Sequence, residues 1–146
     1  MEIIASEPDL LFVPNGYFAY DAALELINYD PSALNTNEGK LSLVHEIAHA
    51  RLGHFHYGSD FELLLMEIDA WCLTRKLAKQ YKLTLDKHFI DHCIETYDNW
   101  LSARSTCPSC QTFCLEDSPH QFHCFSCGTD WRVNQRKDRR TIRKVY

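Results

Sequence analysis

Two pairs of cysteines constrain this chain more than anything else in it. Cys107-Pro-Ser-Cys110 and Cys124-Phe-Ser-Cys127 each space two thiols by two residues, and thirteen residues separate the pairs. A C-x-x-C turn aims both sulfurs at one point, so two such turns make a four-thiolate site for a single zinc ion. The surrounding segment is too short for an oil-drop core of its own and needs a staple of this kind to fold. The spacing predicts a small β zinc ribbon over 106–131, with short strands at 112–113, 121–123 and 131–133 and Gly128 in the turn beneath the second pair. Protein fills all four positions around such an ion, so the site is structural. A redox role would need the two pairs to act separately, and their spacing argues against it. Cys114, His120 and His123 read as bystanders, with Cys114 as the one substitute ligand.

The chain has 146 residues and seven cysteines. An odd count without an export signal favours metal binding over disulfides. The opening MEIIASEPDL lacks the basic and apolar regions of a signal peptide, and the longest aliphatic run, Leu63-Leu64-Leu65-Met66, is far too short to span a bilayer. The sequence therefore reads as a folded, soluble, cytoplasmic protein without a membrane partner. Its charge is uneven: residues 132–146 carry +6 and the rest −11.

Upstream of the cysteines the pattern predicts an α+β arrangement, a small N-terminal antiparallel sheet packed on three helices. The runs 10–13 and 17–20 flank Pro14-Asn15-Gly16, and Asn-Gly favours a tight hairpin. A third strand is expected at 24–29, stopped by Asp30-Pro31, although the pattern fits a helical turn nearly as well. After a loop at 32–38, a helix is expected at about 39–55 with Leu43, Ile47 and Ala50 on its core stripe. Ser59-Asp60-Phe61-Glu62 reads as a capping box opening a second helix to about Tyr81, with Phe61, Leu64, Leu65, Ile68, Trp71, Cys72 and Leu77 as core candidates. A third helix over 85–103 places Phe89, Cys93, Tyr97 and Trp100 inward. Domains are expected at 1–105, 106–131 and, as a basic tail, 132–146. No internal repeat is visible.

The first of these helices carries VHEIAHAR at 44–51. Positions four apart lie one turn apart on a helix, so His45 and His49 can present two imidazole nitrogens to one ion. Glu46 lies about 100° around from His45, able to reach a water without ligating the metal. This is the pattern of a zinc hydrolase: two histidines hold the ion, zinc lowers the pKa of its water to about 7, and the glutamate takes the proton. A third ligand is then required. His54, His56, Asp69 and Glu67 are the candidates. Glu67 is favoured, because it sits beside the core stripe one turn before Trp71, where a carboxylate is costly unless a charge meets it. A fourth position stays open for water.

HEIAHARLGH followed by Glu67-Ile68-Asp69-Ala70-Trp71 resembles the ImmA/IrrE family of intracellular metallopeptidases, over about residues 10–105 and most firmly over 43–78. In that family H-E-x-x-H on one helix is completed by the Glu of an E-x-x-A segment on the next, and members cut repressors of transcription. The resemblance implies His45, His49 and Glu67 as ligands, Glu46 as the base, and hydrolysis of a peptide bond in a specific protein such as a DNA-bound regulator. Trp71 stands where the family commonly has Asn, and Asp69 where it often has Glu. The pairing of H-E-x-x-H with a zinc ribbon also resembles SprT-like proteases, which act on DNA-associated proteins and take a histidine as third ligand. Tyr57, His88, His92 and Tyr97 are candidates to stabilise an oxyanion.

The sequence thus predicts two zinc ions per chain, one catalytic and one structural. In the tail, Arg132, Arg136, Lys137, Arg139, Arg140, Arg143 and Lys144 can contact DNA phosphates or an acidic protein partner. From a different class comes a non-catalytic regulatory protein that binds through the ribbon and tail; the presence of Glu46 speaks against it.

Overall fold

In a computed structural model, residues 2–134 and 140–146 are described. Among the described residues, four α-helices and two small sheets give the α+β class expected. The chain divides into two compact units: Met1–His56 with Met66–Ile90, and Tyr57–Leu65 with Asp91–Tyr146. No helix among the described residues is long and apolar enough to cross a membrane.

The first unit begins with a short helix, α1 (Glu2–Ala5), then strands β1 (Leu11–Pro14), β2 (Ala19–Asp21) and β3 (Leu26–Tyr29). The expected β1–β2 hairpin does not form. The order is β1-β3-β2, with β1 parallel and β2 antiparallel to β3, so the sheet is mixed. A two-residue Asn-Gly turn needs positive φ at both residues, and neither Asn15 nor Gly16 has it. Instead the Asn15 N–H bonds to Tyr29 O at 2.7 Å, extending the parallel pairing. The antiparallel turn falls between β2 and β3. There Asp21 Oδ1 accepts from the N–H groups of Ala23 and Leu24, and Glu25 takes a φ of 52°. Asp-led turns of this type close because the carboxylate mimics a backbone acceptor.

A 3₁₀ turn (Ala33–Asn35) precedes α2 (Asn37–Leu52), which starts two residues earlier than expected because Thr36 caps it, accepting from Gly39 N–H at 3.0 Å. Gly39 is a close approach: a Cβ there would lie 2.1 Å from the Ala33 carbonyl oxygen. α2 packs against β2 and β3. It buries Leu41, Leu43, Val44, Ile47 and Ala48, more than the single expected stripe, as a helix covered on several sides must. Ile3, Ile27, Ala70 and Leu77 complete this core. The N-terminal segment is tied in by Glu7, whose carboxylate is 6% exposed and accepts from Arg51 at 2.6 and 2.8 Å and from the Tyr81 hydroxyl.

α3 (Asp60–Gln80) and α4 (Lys87–Ser105) each contribute residues to both units. The capping box is present in altered form. Ser59 Oγ accepts from Glu62 N–H, and the Glu62 carboxylate reaches back to Gly58 N–H instead of that of Ser59. Of the α3 core candidates, Trp71 and Leu77 are buried while Phe61, Leu65 and Cys72 are exposed; Leu63, Ala70 and Ala78 take the inner positions. On α4 the buried residues are Ile90, Leu101, Arg104 and Ser105. Phe89, Cys93, Tyr97 and Trp100 are half-buried.

In the second unit β4 (Glu116–Ser118), β5 (Gln121–His123), β6 (Asp130–Val133) and β7 (Arg143–Val145) form an antiparallel sheet in sequence order. Its core is Cys107, Cys114, Phe122, Cys124, Trp131 and Val133. Phe122 and Trp131, opposite in register, stack with ring centroids 5.2 Å apart. The expected strand at 112–113 is only an isolated bridge between Phe113 and Thr106. Arg104 joins this sheet to the helix ends. Fully buried, it pairs with Asp60, donates to Asn134 O and to His120 Nδ1, and lies over the Trp100 ring. Its own carbonyl accepts from Trp131 Nε1–H at 3.0 Å.

Removing one partner of a buried ion pair leaves the other charge unmatched, whereas removing both is far cheaper. Arg104→Met is therefore expected to lower the unfolding free energy by about 3–5 kcal/mol in urea titrations. Arg104→Met with Asp60→Leu should recover most of that loss. An unchanged midpoint in the single variant would remove the pair from the account.

Candidate metal centres

The four ribbon cysteines converge, with Sγ atoms within 4.8 Å of one another. Cys107 and Cys127 are 3.7 Å apart and Cys110 and Cys124 are 3.5 Å apart. The two turns are built alike. Cys107 N–H bonds to Thr112 O and Gln111 N–H to Cys107 O; Cys124 N–H bonds to Thr129 O and Gly128 N–H to Cys124 O, all at 2.8–3.0 Å. In each, the Thr hydroxyl lies 3.2 Å from the second sulfur. A six-residue repeat, C-x-S-C-x-T, underlies this match and was too short to stand out in the sequence.

The thiols do not ionise independently. The Thr112 hydroxyl draws the Cys110 thiol down to about 6. Cys127, helped by Thr129 but facing Cys110, is pushed up to about 11. All four can ionise this close together only with a cation among them, and the donor set suits a soft or borderline ion. Cys114 is buried and lies outside the four, its Sγ directed to Thr112 O. His123 is exposed and pairs with Asp130 at 2.8 Å.

The second centre lies in the first unit. His45 and His49 come from α2, one turn apart, and Glu67 from α3. All three are buried and their ligand atoms lie within 4.8 Å of one another. His45 Nε2 is 3.1 Å from both Glu67 Oε2 and His49 Nε2, and His49 Nε2 is 3.6 Å from the same carboxylate oxygen. One proton shared among these atoms satisfies a single contact. A divalent cation satisfies all three, so the residues fit a metal. Burial raises the Glu67 carboxyl, but its contacts with His45 and His49 outweigh that and hold it well below the usual carboxylate range.

The surroundings orient these ligands. Trp71, 3% exposed, stacks on His45 with centroids 4.1 Å apart at 21°, and Phe89 meets Trp71 edge-on. From the sequence alone Trp71 reads only as core and as a departure from a family pattern. The sign of its role was its place one turn after Glu67, on the same helix face. His49 Nδ1 lies 2.8 Å from His54 Nδ1. Burial, then the neighbouring His49, hold the His54 imidazole below its ordinary pKa. Glu46 is half-buried and lies outside the His45–His49–Glu67 group. Its Oε2 accepts from Tyr20 N–H on β2 at 2.7 Å, which no sequence signal foretold. Of the other third-ligand candidates, His56 and Asp69 are exposed, and His54 reaches only the outer nitrogen of His49. Tyr57, His88 and His92 are exposed and Tyr97 is half-buried.

Of the basic residues, Arg132 and Lys144 are register partners on β6 and β7, both exposed. The Arg132 guanidinium lies 4.9 Å over the Tyr146 ring. Arg143 donates to Thr106 O, and Arg140 is exposed. Arg136, Lys137 and Arg139 lie outside the described residues. Within the second unit, a largely apolar cavity of about 250 Å³ is lined by Phe61, Leu64, Leu101, Phe113, Leu115 and Phe122, among others.

Comparison with protein-family models, with curated proteins and with solved structures finds no match for this chain. The chemistry of the two clusters therefore rests on their geometry.

Chelation of the cysteine cluster is expected to unfold the sheet that depends on it. The readout is the Trp131 indole N–H, buried against Arg104 O. Its hydrogen-exchange protection should be lost when the metal is withdrawn and return when it is restored. Full protection in verified metal-free protein would show that the sheet stands without an ion.

Proposed function

We propose that this protein is a zinc-dependent endopeptidase that hydrolyses a peptide bond in a specific protein, with a second, structural zinc in its ribbon. The observation that carries the reading is the meeting of His45, His49 and Glu67 ligand atoms within 4.8 Å, with Glu46 next to His45 in sequence on α2 and outside that group. A closed structural site has no need of a carboxylate there. The resemblance of HEIAH and the Glu67–Trp71 segment to ImmA/IrrE metallopeptidases supports the same ligands and the same reaction.

A zinc ion held there supplies Lewis acidity, polarising the scissile carbonyl and acidifying water. His45, His49 and Glu67 bind the ion and hold it on α2 and α3. Trp71 closes one side of His45 and excludes water from it. Glu46 is the base: with Oε2 held by Tyr20 N–H, Oε1 is the atom that takes the proton from the attacking water. It then delivers that proton to the amine nitrogen as the C–N bond breaks. The ribbon and the basic residues Arg132, Arg140, Arg143 and Lys144 serve recruitment, to DNA or to an acidic surface of the partner carrying the substrate.

Glu46→Gln keeps the size of the side chain and removes the base. In cells expressing either form, new protein N-termini that appear with the wild type should vanish with Glu46→Gln, while metal content stays the same. If partner-dependent function survives Glu46→Gln, the chain is a non-catalytic binding protein. Glu67→Gln tests the ligand set separately. Loss of the helical-site metal supports Glu67 as third ligand, and full retention supports a histidine in its place, as in SprT-like proteases.

A further inference from the structure

A neutral imidazole ligates through one nitrogen only if its proton is on the other, so whatever meets the second nitrogen governs the first. The two histidines of α2 differ here. His45 Nδ1 is buried with no hydrogen-bond partner among the described residues. His49 Nδ1 is met by His54 Nδ1 at 2.8 Å.

The end of the helix explains how His54 gets there. Gly53, just past α2, takes the left-handed conformation at φ 66° and ψ 33°. Its N–H bonds to Ala50 O at 3.2 Å, and the next N–H, that of His54, bonds to His49 O at 3.1 Å. This is a Schellman turn, which folds the residue after the glycine back over the residue five positions earlier, usually in an apolar contact. Those two residues are His54 and His49. Their rings meet edge to face, centroids 4.9 Å apart at 68°. A hydrogen bond therefore stands where an apolar contact is usual.

A bond between two imidazole nitrogens needs one donor and one acceptor. His49 turns Nε2 toward His45 and Glu67. To offer a lone pair there it must carry its proton on Nδ1, and His54 Nδ1 must accept it. We propose that His54 is a positioning residue: it accepts from His49 Nδ1–H, fixes the tautomer and ring orientation of His49, and so sets the metal affinity of the helical site without ligating the ion. The inference rests on the metal-centre reading above.

Two substitutions separate this role from a structural one. His54→Leu restores the apolar contact usual in a Schellman turn and removes the acceptor. His54→Asn keeps an acceptor in its side-chain carbonyl. Zinc affinity of the helical site is measured on the full chain by chelator competition, with native mass spectrometry counting the second ion and thermal melting of the one-ion protein, its ribbon metal retained, reporting the fold. The expected result is a loss of about 10–100-fold in His54→Leu with an unchanged melting temperature, largely recovered in His54→Asn. Wild-type affinity in His54→Leu overturns the proposal, as does a loss that His54→Asn fails to rescue. A wild-type chain that takes no second ion sinks the metal-centre reading itself, and this inference with it.

Discussion

The first unit depends on an ionised carboxylate with almost no water around it. Glu67 is 5% exposed, and a charge so buried costs several kcal/mol unless something positive meets it. Two imidazole nitrogens lie within 3.1 and 3.6 Å of it, on a helix that is itself covered on several sides. Much of the surrounding architecture follows from keeping those rings in place. Trp71 backs one, His54 holds the outer nitrogen of the other, and the Thr36 cap with the side-chain-free Gly39 starts α2 against the preceding turn. Glu46 stands outside that group, with one of its oxygens held by the Tyr20 N–H of β2.

The second unit solves a different problem, that of a short sheet with little apolar mass. Its core centres on Phe122, Trp131, Val133 and the buried Cys107, Cys114 and Cys124, little apolar mass for a sheet of this size. Two matched turns gather four sulfurs at one point, where they could hold a metal ion. A buried polar network takes up the other end: Arg104 bridges Asp60, His120 and Asn134, while Glu116 accepts from the backbone N–H groups of Asp60 and His120. Such a network is costly if any member is lost, so it also specifies one arrangement of these segments.

The two side-chain clusters were more legible in the sequence than the packing. Candidate metal ligands stand out because coordination demands particular residues at particular spacings. H-E-x-x-H, the paired C-x-x-C turns and the carboxylate of Glu67 beside a core stripe pointed to seven side chains that the structure gathers into two groups. Sheet order was not legible. The Asn15-Gly16 signal is local, and whether β3 inserts between β1 and β2 is decided by distant contacts. The α3 stripe was misjudged for a related reason, since period alone does not say which face of a helix is inner when both units draw on it. Arg104 was invisible, because a lone arginine near a helix end reads as solvated until its partners are known. The His49–His54 contact, by contrast, was encoded in the glycine between them.

The central claim is that His45, His49 and Glu67 hold a metal ion distinct from the one in the cysteine cluster. Native mass spectrometry of zinc-replete protein, wild type beside His49→Ala, tests it most directly. The account predicts two zinc ions in the wild type and one in the variant, with the fold unchanged. One ion in both proteins would leave the helical centre without its metal and contradict the enzymatic reading.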